Sequence, residues 1–79
     1  LNTGGTVTLT ANVASTTLTD DRISVTSTVV LIPTTANAAA ELGAGTLYLS
    51  ESGRVNGASV ITHANNAQTD RVFRLVIIG

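Results

Sequence analysis

The chain has no cysteine, so no disulfide can brace it. A 79-residue chain buries a smaller share of its surface than a mid-sized domain does, and small folds compensate with disulfides, a metal or association. Its single histidine, His63, and the absence of thiolates exclude a structural zinc site, which leaves association. Lysine, tryptophan and methionine are also missing, and the aromatics are Tyr48 and Phe73 alone. Four arginines against five acids give a net charge of −1, without the basic stripe that nucleic-acid binding requires. Apolar runs stop at four residues, as in Val29 to Ile32, far short of a membrane-spanning helix, and no signal peptide is visible. The start at Leu1 is read as that of a processed product, a fragment or part of a longer chain.

What remains is rich in threonine, valine and alanine. Branching at Cβ stiffens χ1 and suits a pleated, half-buried backbone. Residues 1–5 read as a flexible lead-in containing Gly4-Gly5, and residues 6–79 as one β-rich domain. Alternation from Thr6 to Val13 puts Val7, Leu9, Ala11 and Val13 on one face of a strand. Thr16 to Thr19 is a short extended piece, and Asp20-Asp21-Arg22 a polar turn. Ile23 to Ile32 reads as a second long strand, covered on both faces in its later half and ended by Pro33. Thr34-Thr35 caps a short helix over Ala36 to Leu42, with Gly43 in the left-handed C-terminal place and Ala39 and Leu42 turned to the sheet. Thr46 to Ser50 is a strand. Asn56-Gly57 is the strongest hairpin signal, with Ala58 to Thr62 as the return strand. His63 to Asp70 is a polar loop. Arg71 to Ile78 is the last strand, with Phe73, Leu75 and Ile77 on one face and Val72, Val76 and Ile78 on the other.

That last strand is apolar on both faces. One layer of a domain this small covers one of them; either another sheet or a neighbouring copy covers the other, and the neighbouring copy is the one expected. The interface candidates are Val30, Ile32, Val72, Val76 and Ile78. The fold expected is mainly β: a small antiparallel β-sandwich or sheet with one short helix, completed by oligomerisation.

No candidate motif carries chemistry. His63, Asp70 and a serine lack the strained nucleophile turn of a hydrolase, and Ser59 sits in a short strand. His63, Asn65, Asn66 and Asp70 are read instead as structuring their own loop by hydrogen bonds. Asp20-Asp21 lacks the alternating acids of a calcium loop. Asp20, Asp21, Arg22, Arg71 and Arg74 are ion-pair candidates, with Glu41 and Glu51 as further acids for Arg71 and Arg74. Gly4-Gly5 and Gly43-Ala44-Gly45 lack the context of a phosphate loop and read as hinge and helix cap. No cofactor, catalytic group or metal ligand is expected.

Three stretches carry a resemblance: Thr19-Asp20-Asp21-Arg22-Ile23; Pro33-Thr34-Thr35-Ala36-Asn37-Ala38-Ala39-Ala40-Glu41-Leu42; and Thr62-His63-Ala64-Asn65-Asn66-Ala67-Gln68-Thr69-Asp70-Arg71-Val72-Phe73-Arg74. Together they resemble a short C-terminal domain of accessory virion proteins of tailed bacteriophages, over nearly the whole chain from Val7 onward. The resemblance implies a virion structural protein of fibre, tail or capsid-decoration type, in contact with other virion proteins and without enzymatic activity. The strand ending at Gly79 fits a natural C-terminus of such a protein. A homotrimer is the first expectation, since trimers suit fibres. The other reading is a receptor- or carbohydrate-binding tip of a fibre or surface adhesin, using the 52–57 loop and Tyr48.

Overall fold

The computed structural model describes residues 2–79, with side chains from Gly5 onward. Among these residues six strands and one helix follow in the order β1 (Asn2–Thr8), β2 (Ser15–Thr19), β3 (Thr28–Pro33), α1 (Ala36–Gly43), β4 (Tyr48–Val55), β5 (Ala58–Thr62) and β6 (Val72–Ile78). They form two three-stranded antiparallel sheets, β1-β6-β3 and β2-β5-β4. The protein is thus mainly β, with one short helix.

The sheets share one core. Val7 from β1 and Phe73, Leu75 and Ile77 from β6 meet Leu18 from β2 and Ile61 from β5, joined by Leu9, Ile23 and Ala38. The alternation in β6 places Phe73, Leu75 and Ile77 inward, as its sequence parity requires. β6 lies between β1 and β3, so the last segment of the chain is the centre of its sheet.

Several local expectations change. Residues 2–5, read as a lead-in, belong to β1, whose register against β6 shifts between Thr3 and Thr6; Leu1 lies outside the described residues. β1 ends at Thr8 rather than at Val13. Beyond it Leu9 remains buried, but Asn12 turns to a φ of 64° and leaves Val13 exposed. Asn is among the few non-glycine residues that accept this conformation readily.

The strand expected from Ile23 begins only at Thr28. The Ser27 hydroxyl there bonds the Ser24 backbone N–H (2.8 Å) and the Gly79 carbonyl (2.9 Å), so hydroxyl side chains take over the backbone and fold a turn. In the helix, Thr35 is the N-cap and accepts from the Ala38 N–H at 3.1 Å. Ala38 and Glu41, not Ala39 and Leu42, face inward. The left-handed residue after the helix is Gly45, two positions beyond Gly43. β4 is longer than expected and runs through Ser52-Gly53 with a register shift between Leu49 and Arg54. The Asn56-Gly57 hairpin forms where the sequence puts it, with Gly57 at a φ of 89°.

Candidate functional site

Two features stand out on this framework: a buried polar cluster at one end of the sandwich, and an exposed apolar sheet face.

The cluster is centred on Arg71, which immediately precedes β6 and is fully buried. Its Nη1 donates to Glu41 Oε1 at 2.8 Å and to the Ala64 carbonyl at 2.9 Å, and its Nη2 donates to the Thr10 carbonyl at 3.1 Å. The other Glu41 oxygen accepts from the Thr46 hydroxyl (2.6 Å) and the Ala64 N–H (3.0 Å). Burial pushes the Glu41 carboxyl upward, but these three donors and the Arg71 charge outweigh it and hold the group below the usual carboxylate range.

His63 packs against the same pair and is also buried. Its Nδ1 lies 2.9 Å from the Ala64 carbonyl, and its Nε2 lies 2.7 Å from the Thr16 hydroxyl. A carbonyl only accepts, and Arg71 Nη1, 3.3 Å from Nδ1, already spends its two protons on Glu41 and Ala64, so the contacts assign the ring proton to Nδ1. Nε2 then accepts from the Thr16 O–H, whose oxygen accepts in turn from the Thr10 N–H at 2.9 Å. The cluster thereby ties α1, β2, the start of β6, and the chain segments at Thr10 and Ala64 into one unit.

The loop residues divide by role. Asn66 Oδ1 accepts from the Gln68 N–H at 3.0 Å, and its carbonyl accepts from the Asn12 N–H at 2.7 Å. Asp70 Oδ1 accepts from Asn37 Nδ2 at 2.7 Å, and its carbonyl accepts from the Thr35 hydroxyl. Asn65 is exposed and takes no part in these bonds.

Among the ion-pair candidates, Arg22 and Asp20 pair at 2.6 Å. The Arg22 side-chain bonds, with its backbone N–H, hold the Asp20 carboxyl at about 2. Arg71 pairs with Glu41. Asp21 and Arg74 are exposed and form no ion pair among the described residues. The sequence reading missed two contributors: Thr16, whose hydroxyl holds His63, and the pair at 2.9 Å between exposed Glu51 and half-buried Arg54. The i,i+3 spacing within β4 signals that second pair only once the local shift in the strand is known. Nothing in the sequence around Thr16 marks it out from the other threonines.

The second feature gathers all five interface candidates. On β6, Val72, Val76 and Ile78 point away from the core. Val30 stands opposite Val76, and Ile32 opposite Arg74. Val30, Ile32 and Ile78 are 38%, 47% and 44% exposed, and Val72 and Val76 are half-buried. Arg74, Thr6, Thr8 and Thr28 complete this face. One face of the sheet of β1, β6 and β3 is therefore core, and the other is a mainly apolar surface with threonines at its borders and, among the described residues, one charge, Arg74.

No protein-family model, no curated protein and no solved structure matches this chain.

Proposed function

We propose that this chain is a non-enzymatic structural module that assembles with copies of itself, and that it serves in a bacteriophage particle as a fibre, tail or capsid-decoration component. The observation that carries the assembly is the outer face of the β1-β6-β3 sheet. Valine and isoleucine left facing water on this strand surface cost about 25 cal/mol for each Å² uncovered. Another copy removes that cost by presenting the same surface. The cluster around Arg71 supports a scaffolding role: both ring nitrogens of His63 and both oxygens of Glu41 are engaged within the fold. The virion setting rests on the resemblance of the Asp20, Pro33 and His63 stretches to accessory virion domains, and a three-fold arrangement is the one a fibre favours.

Light scattering and sedimentation equilibrium test the assembly. Masses at multiples of 8.0 kDa are expected, and Val76→Asp shifts the equilibrium to the single chain. A wild-type protein that stays at 8.0 kDa up to millimolar concentration overturns the reading.

One observation favours the second reading, a receptor- or glycan-binding tip. Tyr48 is 57% exposed at the start of β4, as a sugar-stacking ring must be. A glycan-array signal lost in Tyr48→Ala would move the assignment there.

A further inference from the structure

We infer that the free edge of β3 pairs with the same edge of a second copy, antiparallel and centred on Val30, so that two copies share one six-stranded sheet. This rests on the self-assembly proposed above and adds a backbone contact to the apolar face.

Unpaired N–H and C=O groups on a strand edge are a template for another chain, and folds blunt such edges with bulges, charges, short strands or proline. The two sheets have four edge strands, β1, β2, β3 and β4. β1 is broken by a register shift between Thr3 and Thr6. β4 is broken between Leu49 and Arg54 and carries the Glu51–Arg54 pair. β2 is only five residues long. β3 has six residues, an unbroken register with β6 and no charged side chain, and its one proline lies at its last position.

The bonding pattern identifies the free groups. The Thr34 N–H donates to the Val72 carbonyl at 3.0 Å, just beyond the Pro33–Phe73 position. Bonded and non-bonded positions alternate in an antiparallel pair, so Ile32, Val30 and Thr28 turn their backbone groups to β6. Val29, Leu31 and Pro33 turn theirs outward. Pro33 thus loses no ladder bond, as proline on an edge strand requires.

A two-fold axis at Val30 sets Val29 opposite Leu31 of the second copy. Each of these residues offers one N–H and one C=O, and all are matched. The register is fixed at both ends. A slip toward Pro33 presents a residue with no N–H, and a slip the other way presents Ser27, whose N–H already bonds the Ser24 carbonyl at 3.0 Å. A slip of a single residue mismatches bonded with non-bonded positions. β3 itself carries no charge, and the charges beside Thr28 and Val29, Glu51 and Arg54, compensate each other as a pair at 2.9 Å. The cross-strand row Val76–Val30 then continues into Val30 and Val76 of the second copy, which doubles the apolar face.

Amide exchange on the wild-type protein tests this, compared between the associated and the diluted, dissociated state. The Val29 and Leu31 amides should exchange at least ~10-fold more slowly in the associated state, as ladder amides do. Because the chain has no cysteine, Val30→Cys adds a single thiol. Facing residues at a non-bonded antiparallel position lie about 4.5 Å apart at Cα, within disulfide range, so oxidation should give a covalent dimer. Masses should be even multiples of 8.0 kDa, six-fold where edge pairing joins two three-fold rings. A stable trimer, or an oligomer whose Val29 and Leu31 amides exchange as fast as in the single chain, overturns the edge pairing and leaves face assembly standing. A single chain at every concentration removes both.

Discussion

At the scale of single residues, the balance of this fold turns on a buried ion pair. Glu41 and Arg71 have each left water, and their mutual attraction returns that cost only because further donors and acceptors surround them. Removing one partner strands the other charge in the interior. Glu41→Ala is therefore expected to cost about 3–5 kcal/mol in urea unfolding, a large share of the roughly 4–12 kcal/mol that a chain of this length commands. The double variant Glu41→Leu with Arg71→Met should recover most of that loss, because no unpaired charge remains. The pair also sets a pH dependence. The Glu41 and Asp20 carboxyls are both held below their unfolded values, so the stability they contribute is fully present above those values, near pH 4–4.5, and is lost as pH falls through the folded ones. Unfolding free energy measured from pH 6 to pH 2 should be flat at first and then fall below about pH 4.5. Glu41→Gln, already lacking the charge, should show a shallower acid slope, and the remainder should belong to Asp20 and to Glu51, which Arg54 also holds below its ordinary range. Thr16→Val leaves both the Thr10 N–H and His63 Nε2 without a partner, with an expected loss of about 1–3 kcal/mol.

At the scale of elements, the helix shows where a pattern of apolar residues misleads. Alanines and Leu42 point to one inward face, but Leu42 is 47% exposed and Glu41 is inside. The helix turns about its axis so that Glu41 reaches Arg71, a partner far away in sequence that no local periodicity registers. Its start is local, and legible. The Thr35 hydroxyl accepts from Ala38 and donates to the Asp70 carbonyl, so one side chain both caps α1 and ties it to the approach to β6. Thr35→Ala should cost about 1–2 kcal/mol, at the upper end of cap substitutions because a second bond is lost with the first. Loss of the Asp70 contact should show as faster amide exchange over residues 36–43, more than over β5.

At the scale of the whole molecule, the chain has collapsed as far as its length allows. Its radius of gyration is 11.7 Å, against about 12 Å for a compact domain of this size. The exposed valines and isoleucines are thus not the result of loose packing. The second sheet covers one side of the first, and on the other side Val30, Ile32 and Ile78 stay exposed among the described residues. Association should appear as stability that rises with concentration, since a partner that binds only the folded state lowers its free energy. A melting temperature independent of concentration from micromolar to millimolar would contradict the face and the edge together. Ile32→Asp, on the exposed face of β3, should abolish the concentration dependence with little effect on the unfolding of the single chain.

Near neighbours along the chain suffice for a mainly β fold, the Asn56-Gly57 hairpin, the cap at Thr35, and the parity that sends Phe73, Leu75 and Ile77 inward and leaves Val72, Val76 and Ile78 outside. Alternation and turn chemistry act over a few residues, so a few residues suffice to read them. Tertiary structure alone decided that β6 is the central strand of its sheet, that β1 stops at Thr8 and β3 starts at Thr28, and that Glu41, Arg71, His63 and Thr16 meet. Each of those outcomes is a choice of partner across tens of residues. It is fixed by which burial leaves the fewest charges and backbone groups unsatisfied once the whole chain has closed.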